Sequence, residues 1–107
     1  MAAKNIDRKE FQNLIQGDRP ALVDFWAPWC GYCRRIGPAY EKIAEQFEDV
    51  LDVVKVNIDE EPDVAKSEQI EVIPTLVLYQ KGRVLGSIVA PESKAAIESF
   101  IREKLEQ

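Results

Sequence analysis

The chain has 107 residues, 46% hydrophobic and 31% charged, with 19 acidic against 14 basic side chains and a net charge of −5. That is one domain's length, spanning 1–107, with enough core to fold without a metal or disulfide staple; the acidic balance argues against general nucleic-acid binding, where Lys and Arg displace counterions. Histidine is absent, which excludes Ser-His-Asp and Cys-His nucleophile pairs, His metal ligands and imidazole acid–base chemistry, and leaves Cys30 and Cys33 as the only soft nucleophiles.

Asp7 followed by Glu10 reads as a helix start, with Phe11, Leu14 and Ile15 on one face and Gly17 as its stop. A short strand near Lys4–Ile6 precedes it. Ala21 to Ala27 is a near-continuous apolar run, as expected of a strand buried on both faces, and Asp24 is its one discord. After Cys33 apolar residues recur at helical spacing through Ile36, Tyr40, Ile43 and Phe47, with Pro38 inside as a kink-forming residue. Leu51 to Ile58 reads as a strand with Val54, Val56 and Ile58 on one face. Asp59 to Asp63, acidic and with Pro62, opens a short helix. Thr75 to Tyr79 and Val84 to Val89 form a hairpin around Lys81-Gly82, and Ser93 caps a last helix with Ile97, Phe100, Ile101 and Leu105 inward. Alternation of strands and helices favours parallel pairing, and the hairpin adds an antiparallel edge. No repeat or linker is visible. No stretch approaches the ~20 apolar residues of a membrane helix. The first residues lack the apolar run of a secretory signal, so a cytoplasmic protein is expected.

Trp29-Cys30-Gly31-Tyr32-Cys33 sits where the buried strand has ended and the helix begins. A helix start offers unpaired N–H groups and the positive end of the dipole, and both favour a thiolate over a thiol. From Phe25 to Tyr40 the only charged side chains are Arg34 and Arg35, a cationic island on an acidic chain. Cys30 is therefore the candidate low-pKa nucleophile, and Cys33, one turn in, the resolving thiol. A purely structural disulfide closing so short a loop contributes only ~2 kcal/mol by chain-entropy arguments. A zinc site lacks ligands, because two Cys and no His supply half a coordination shell. Redox exchange is the reading that remains strongest. The resolving step needs a proton acceptor, and Asp24 is the natural substitute for histidine, since burial raises a carboxyl's pKa. Lys55 on the neighbouring strand could lean against it. Asp24 pointing to a solvated edge, or only pairing with Lys55, stays open at this point.

Taken as blocks, these residues resemble the thioredoxin family: Val23-Asp24-Phe25-Trp26-Ala27 running into Trp29-Cys30-Gly31-x-Cys33, then Val54 to Asp59, then Ile73-Pro74-Thr75-Leu76, with Gly82 and the spacing to the last helix also in register. The resemblance implies a thioredoxin fold of the α/β class, a central mixed sheet of about five strands flanked by four helices. It implies Cys30 as the exposed nucleophile, Cys33 as the buried resolving thiol, and Asp24 beneath them with Lys55 beside it. It makes the bond before Pro74 cis and facing the disulfide. Trp29, Gly31, Tyr32, Ile73 and Pro74, with Trp26, become the substrate-binding set, a groove for extended backbone. It implies a protein-disulfide reductase with no cofactor beyond the Cys30–Cys33 pair. A thioredoxin reductase recharges it, disulfide-bonded proteins are its clients, and the molecule is a monomer with no nucleic-acid or membrane partner.

Two positions depart from the family pattern. Tyr32 stands where proline is usual; it restores an N–H that can stabilise the thiolate, so a more oxidising pair is expected. Ala90 stands where glycine is usual beside the substrate groove, and its methyl could narrow the groove or shift the backbone. A more oxidising exchanger and a redox-inert docking subunit are the competing readings. The acidic runs Glu45–Asp52 and Asp59–Asp63 read as solvated faces and helix starts.

Overall fold

The computed structural model describes residues 3–106. In chain order the elements are β1 (Lys4–Asn5), α1 (Arg8–Ile15), β2 (Ala21–Trp26), α2 (Gly31–Gln46), β3 (Asp52–Asn57), α3 (Pro62–Ser67), β4 (Thr75–Gln80), β5 (Arg83–Val89) and α4 (Lys94–Leu105). Among the described residues the strands form one five-stranded sheet in the order β1-β3-β2-β4-β5. β3 pairs in parallel with both β1 and β2, while β4 runs antiparallel to β2 and β5. This is the mixed sheet with four helices that the sequence implies.

Local chemistry explains the boundaries. Asp7 accepts from the Glu10 N–H and the Glu10 carboxylate reaches back to the Asp7 N–H, a reciprocal cap that starts α1. Pro62 opens α3 and Ser93 caps α4. The hairpin turn needs positive φ at both central residues, and Lys81 (φ 55°) and Gly82 (φ 77°) supply it. Helix α2 begins at Gly31, at the cysteine turn where a helix start is expected and ahead of Ile36, the first residue of its apolar periodicity; Cys30 itself serves as its N-cap. It continues through Pro38 as one helix to Gln46.

Period-two alternation sorts β2 between two cores. Leu22 joins Tyr40, Ile43, Phe47, Ile97 and Ile101 on the α2/α4 face, while Val23 and Phe25 join Phe11, Val54, Val56 and Val64 on the α1/α3 face. Phe11 meets Phe25 and Tyr79 edge-on, with ring centroids 6.1 and 5.5 Å apart. Asp24 and Trp26 follow Leu22 in phase, so both belong to the α2 face. The parallel register sets Lys55 directly beside Asp24. The discordant carboxylate is thus placed by alternation under the helix that carries the cysteines.

Candidate active site

Cys30 and Cys33 form a disulfide across the first turn of α2, with Cα atoms 5.2 Å apart. The Cys33 N–H donates to the Cys30 sulfur at 3.1 Å. Cys30 therefore sits where a helix N-cap side chain normally accepts, facing the positive end of the dipole. Cys30 keeps 9% of its surface exposed and Cys33 4%, so Cys30 is the outer residue, though by a narrow margin in this disulfide state. Ala27 shares their pocket, and Trp26, Ile58 and Ile73 pack against it. Ile73–Pro74 is a cis peptide, as the resemblance implies. Trp29 is 65% exposed beside the pair, its indole N–H bonded to Asp59 Oδ1 at 3.2 Å. Arg34 folds back onto the Pro28 carbonyl at 2.6 Å.

Asp24 is buried, and its Oδ1 has no hydrogen-bond partner. Burial pushes its pKa up to about 7, opposed by the positive charge of Lys55. The solvated-edge alternative is therefore ruled out. Asp24 and Cys33 line one cavity of about 230 Å³, together with Trp26, Tyr40, Glu41 and Lys55. The charge of Lys55 is not directed at Asp24 alone. Its Nζ lies 4.9 Å from the centre of the Trp26 ring and 4.0 Å from a Glu41 carboxylate oxygen. The Tyr40 hydroxyl lies 2.7 Å from the Val54 carbonyl and 3.1 Å from that of Leu22, bridging β2 and β3 beside Asp24. Its pKa is raised well above the ordinary phenol value by burial, so it stays protonated.

Sequence reasoning missed Glu41, Tyr40 and Ile58 as members of this site. Glu41 and Tyr40 fall one turn and more beyond the cysteines on α2. Helical phase relative to Cys33 was the available signal: Gly37 and Tyr40 or Glu41 follow at three- and four-residue steps. Tyr32 turns its side chain inward, packing against the α2/α4 core and donating its hydroxyl to the Pro91 carbonyl at 3.0 Å. The donor found on the Cys30 sulfur is thus the N–H of Cys33.

The family model for thioredoxin matches residues 2–103. The chain belongs to the thioredoxin family. It is 39% identical over 105 residues to the thioredoxin of Alicyclobacillus acidocaldarius subsp. acidocaldarius, covering 98% of this chain and 100% of that one. It is 40% identical over 104 residues to thioredoxin 1 of Nostoc sp., covering 97% of each. A bifunctional thioredoxin reductase/thioredoxin of Mycobacterium leprae is 38% identical over 91 residues, 85% of this chain and 20% of that protein. The crystal structure of Malassezia sympodialis thioredoxin superposes with a TM-score of 0.88 at 30% identity, covering 96% of this chain and 90% of that one. With its cysteine pair at disulfide distance, this thioredoxin-family chain is a thiol–disulfide oxidoreductase of the protein-disulfide reductase type. The cysteines themselves carry the electrons, without a separate cofactor. Among the described residues no helix is long and apolar enough to cross a membrane.

Proposed function

We propose that the protein reduces client disulfides in two steps led by Cys30, that a thioredoxin reductase restores its dithiol, and that it works as a cytoplasmic monomer. The observation that carries the roles is the Cys30 sulfur at the N-cap of α2, accepting from Cys33 N–H, above a buried carboxyl pushed up to about 7. In the reduced protein the Cys30 thiolate attacks one client sulfur, forming a mixed disulfide and releasing the other client sulfur as a thiolate. Asp24, ionised at that moment, takes the Cys33 proton through the shared cavity, directly or by way of water. The Cys33 thiolate then attacks the Cys30 sulfur, re-forming the intramolecular disulfide and expelling the second client thiolate. Two electrons pass to the client, and the proton on Asp24 is available to it.

Lys55 tempers the carboxyl: without its charge, burial alone would hold Asp24 protonated to still higher pH. Exposed Trp29 and Gly31, with half-buried Ile73, form the side on which a client segment docks; Pro74 is buried and the Tyr32 side chain turns inward, so these two contribute through the backbone they position. The Mycobacterium leprae protein, whose name joins reductase and thioredoxin in one chain, supports the pairing with a reductase. The test is client trapping. Cys33→Ser should accumulate mixed disulfides with client proteins, and Cys30→Ser should trap none and reduce no insulin. Equal trapping by both variants would overturn the assignment of roles.

A further inference from the structure

The redox turn and the cis-Pro loop are joined by more than the disulfide pocket. From one side Ile73 packs against the cysteine pair. Its neighbour Pro74 offers its carbonyl to the Ala90 N–H at 2.9 Å. Ala90 is followed by Pro91, whose carbonyl receives the Tyr32 hydroxyl at 3.0 Å. Tyr32 lies between the two cysteines. The contacts therefore close a ring: disulfide, Ile73, Pro74, Ala90, Pro91, Tyr32 and back to the disulfide.

The weak link in this ring is Ala90. Its φ is +45°, the left-handed region that an alanine enters only at a cost. The paired β4–β5 register ends at Thr75–Val89, and the Ala90 N–H to Pro74 carbonyl bond is one further, one-sided rung, because Pro74 has no N–H to return. On its other side the chain is anchored at buried Pro91, whose carbonyl takes the Tyr32 hydroxyl. The Tyr32 ring is fixed independently of its hydroxyl. It packs against the α2/α4 core, and the Arg35 guanidinium lies 5.9 Å from its centre. A phenylalanine would keep that packing and lose only the latch.

We propose that the Tyr32 hydroxyl is a positioning group for client recognition: by latching the Pro91 carbonyl it holds Ala90 and the Pro74 loop as one wall of the docking groove. The inference rests on the reading of that groove as the client site. A disulfide carried on an extended polypeptide needs the wall in place. A small disulfide that reaches only the sulfur needs it less. The latch therefore favours protein clients over small disulfides.

The test compares wild type with Tyr32→Phe, alone and in an Ala90→Gly background, on insulin and on oxidised glutathione. One net hydrogen bond corresponds to a rise of about three- to tenfold in KM for insulin. The change with glutathione should be several times smaller. Glycine adopts positive φ unaided, so in the Ala90→Gly background the Tyr32→Phe effect should shrink to less than half. Hydrogen exchange at the Ala90 amide gives a readout independent of turnover, and it should quicken in Tyr32→Phe. An unchanged insulin KM, an equal loss on both substrates, an undiminished effect in the Ala90→Gly background or an unchanged Ala90 exchange rate would each overturn the latch. Wild type that fails to reduce insulin would instead refute the client reading, while Ala90 exchange still decides whether the latch exists.

Discussion

Replacing Asp24 by Asn should stabilise the oxidised protein, and the gain should depend on pH in a defined way. Folding raises the Asp24 pKa from 3.8 to about 7, chiefly by burial. The native state thus holds the proton more tightly than the unfolded chain. The protonated carboxyl is tolerated below the unfolded pKa, and as pH rises toward 7 the native state pays increasingly for ionisation. At 1.36 kcal/mol per unit, the accumulated cost is about 4 kcal/mol near neutrality, about 2 near pH 5, and close to zero at about pH 3. Asparagine has nearly the same shape and cannot ionise, so any difference in its hydrogen bonding enters as an offset independent of pH. Urea unfolding of oxidised wild type and Asp24→Asn across this range isolates the slope. The advantage of Asp24→Asn should grow by about 2 kcal/mol between about pH 5 and pH 7 and then level off. A flat difference over that interval would refute the claim that burial raises the Asp24 pKa toward 7.

Three further substitutions probe the surroundings. Tyr40→Phe removes the hydroxyl that bridges the Leu22 and Val54 carbonyls, and urea unfolding should show a loss of about 1–2 kcal/mol. Gly82→Ala puts a side chain at φ 77° and against the Gln16 amide, so the thermal midpoint should fall in line with about 1–2 kcal/mol. Tyr32→Pro deletes the second-position N–H of α2, the remaining donor that an N-cap thiolate could use beside Cys33 N–H. Equilibration with glutathione should show a less oxidising pair, and an unchanged or higher potential would count against N–H stabilisation of the thiolate.

What the sequence reveals is what local chemistry decides. The Asp7–Glu10 box, Pro62 at the start of α3, the Lys81-Gly82 turn and the Ser93 cap each act within a few residues, and the helices and hairpin follow from them. The apolar run around Asp24 marks a buried strand, and alternation puts Asp24 on the same face as Leu22. Its neighbour Lys55 is also legible once parallel pairing is assumed, because adjacent strands bring like phases together. The start of α2 at the cysteine turn is legible from the end of the apolar strand, but its cap is not, because the capping group is a cysteine, a residue outside the usual Ser, Thr, Asp and Asn set. Glu41 reaching Lys55, and Tyr40 bridging two strands, depend on the rotation of α2 over the sheet, which tertiary packing fixes. The Tyr32–Pro91 bond spans 59 residues, and no local pattern announces it. The left-handed Ala90 shows in the sequence only as a departure from the family's glycine; its backbone angle gives that departure a physical meaning.

The most direct measurement is the pH dependence of alkylation at each thiol of the reduced protein, followed by mass spectrometry. A sulfur held at the N-cap of α2 should ionise below the ~8.5 of a free cysteine, so Cys30 should label first and reach its plateau rate at lower pH than Cys33. Slow, equal labelling of both cysteines, with neither titrating below an ordinary thiol, would contradict the assignment of Cys30 as the activated nucleophile.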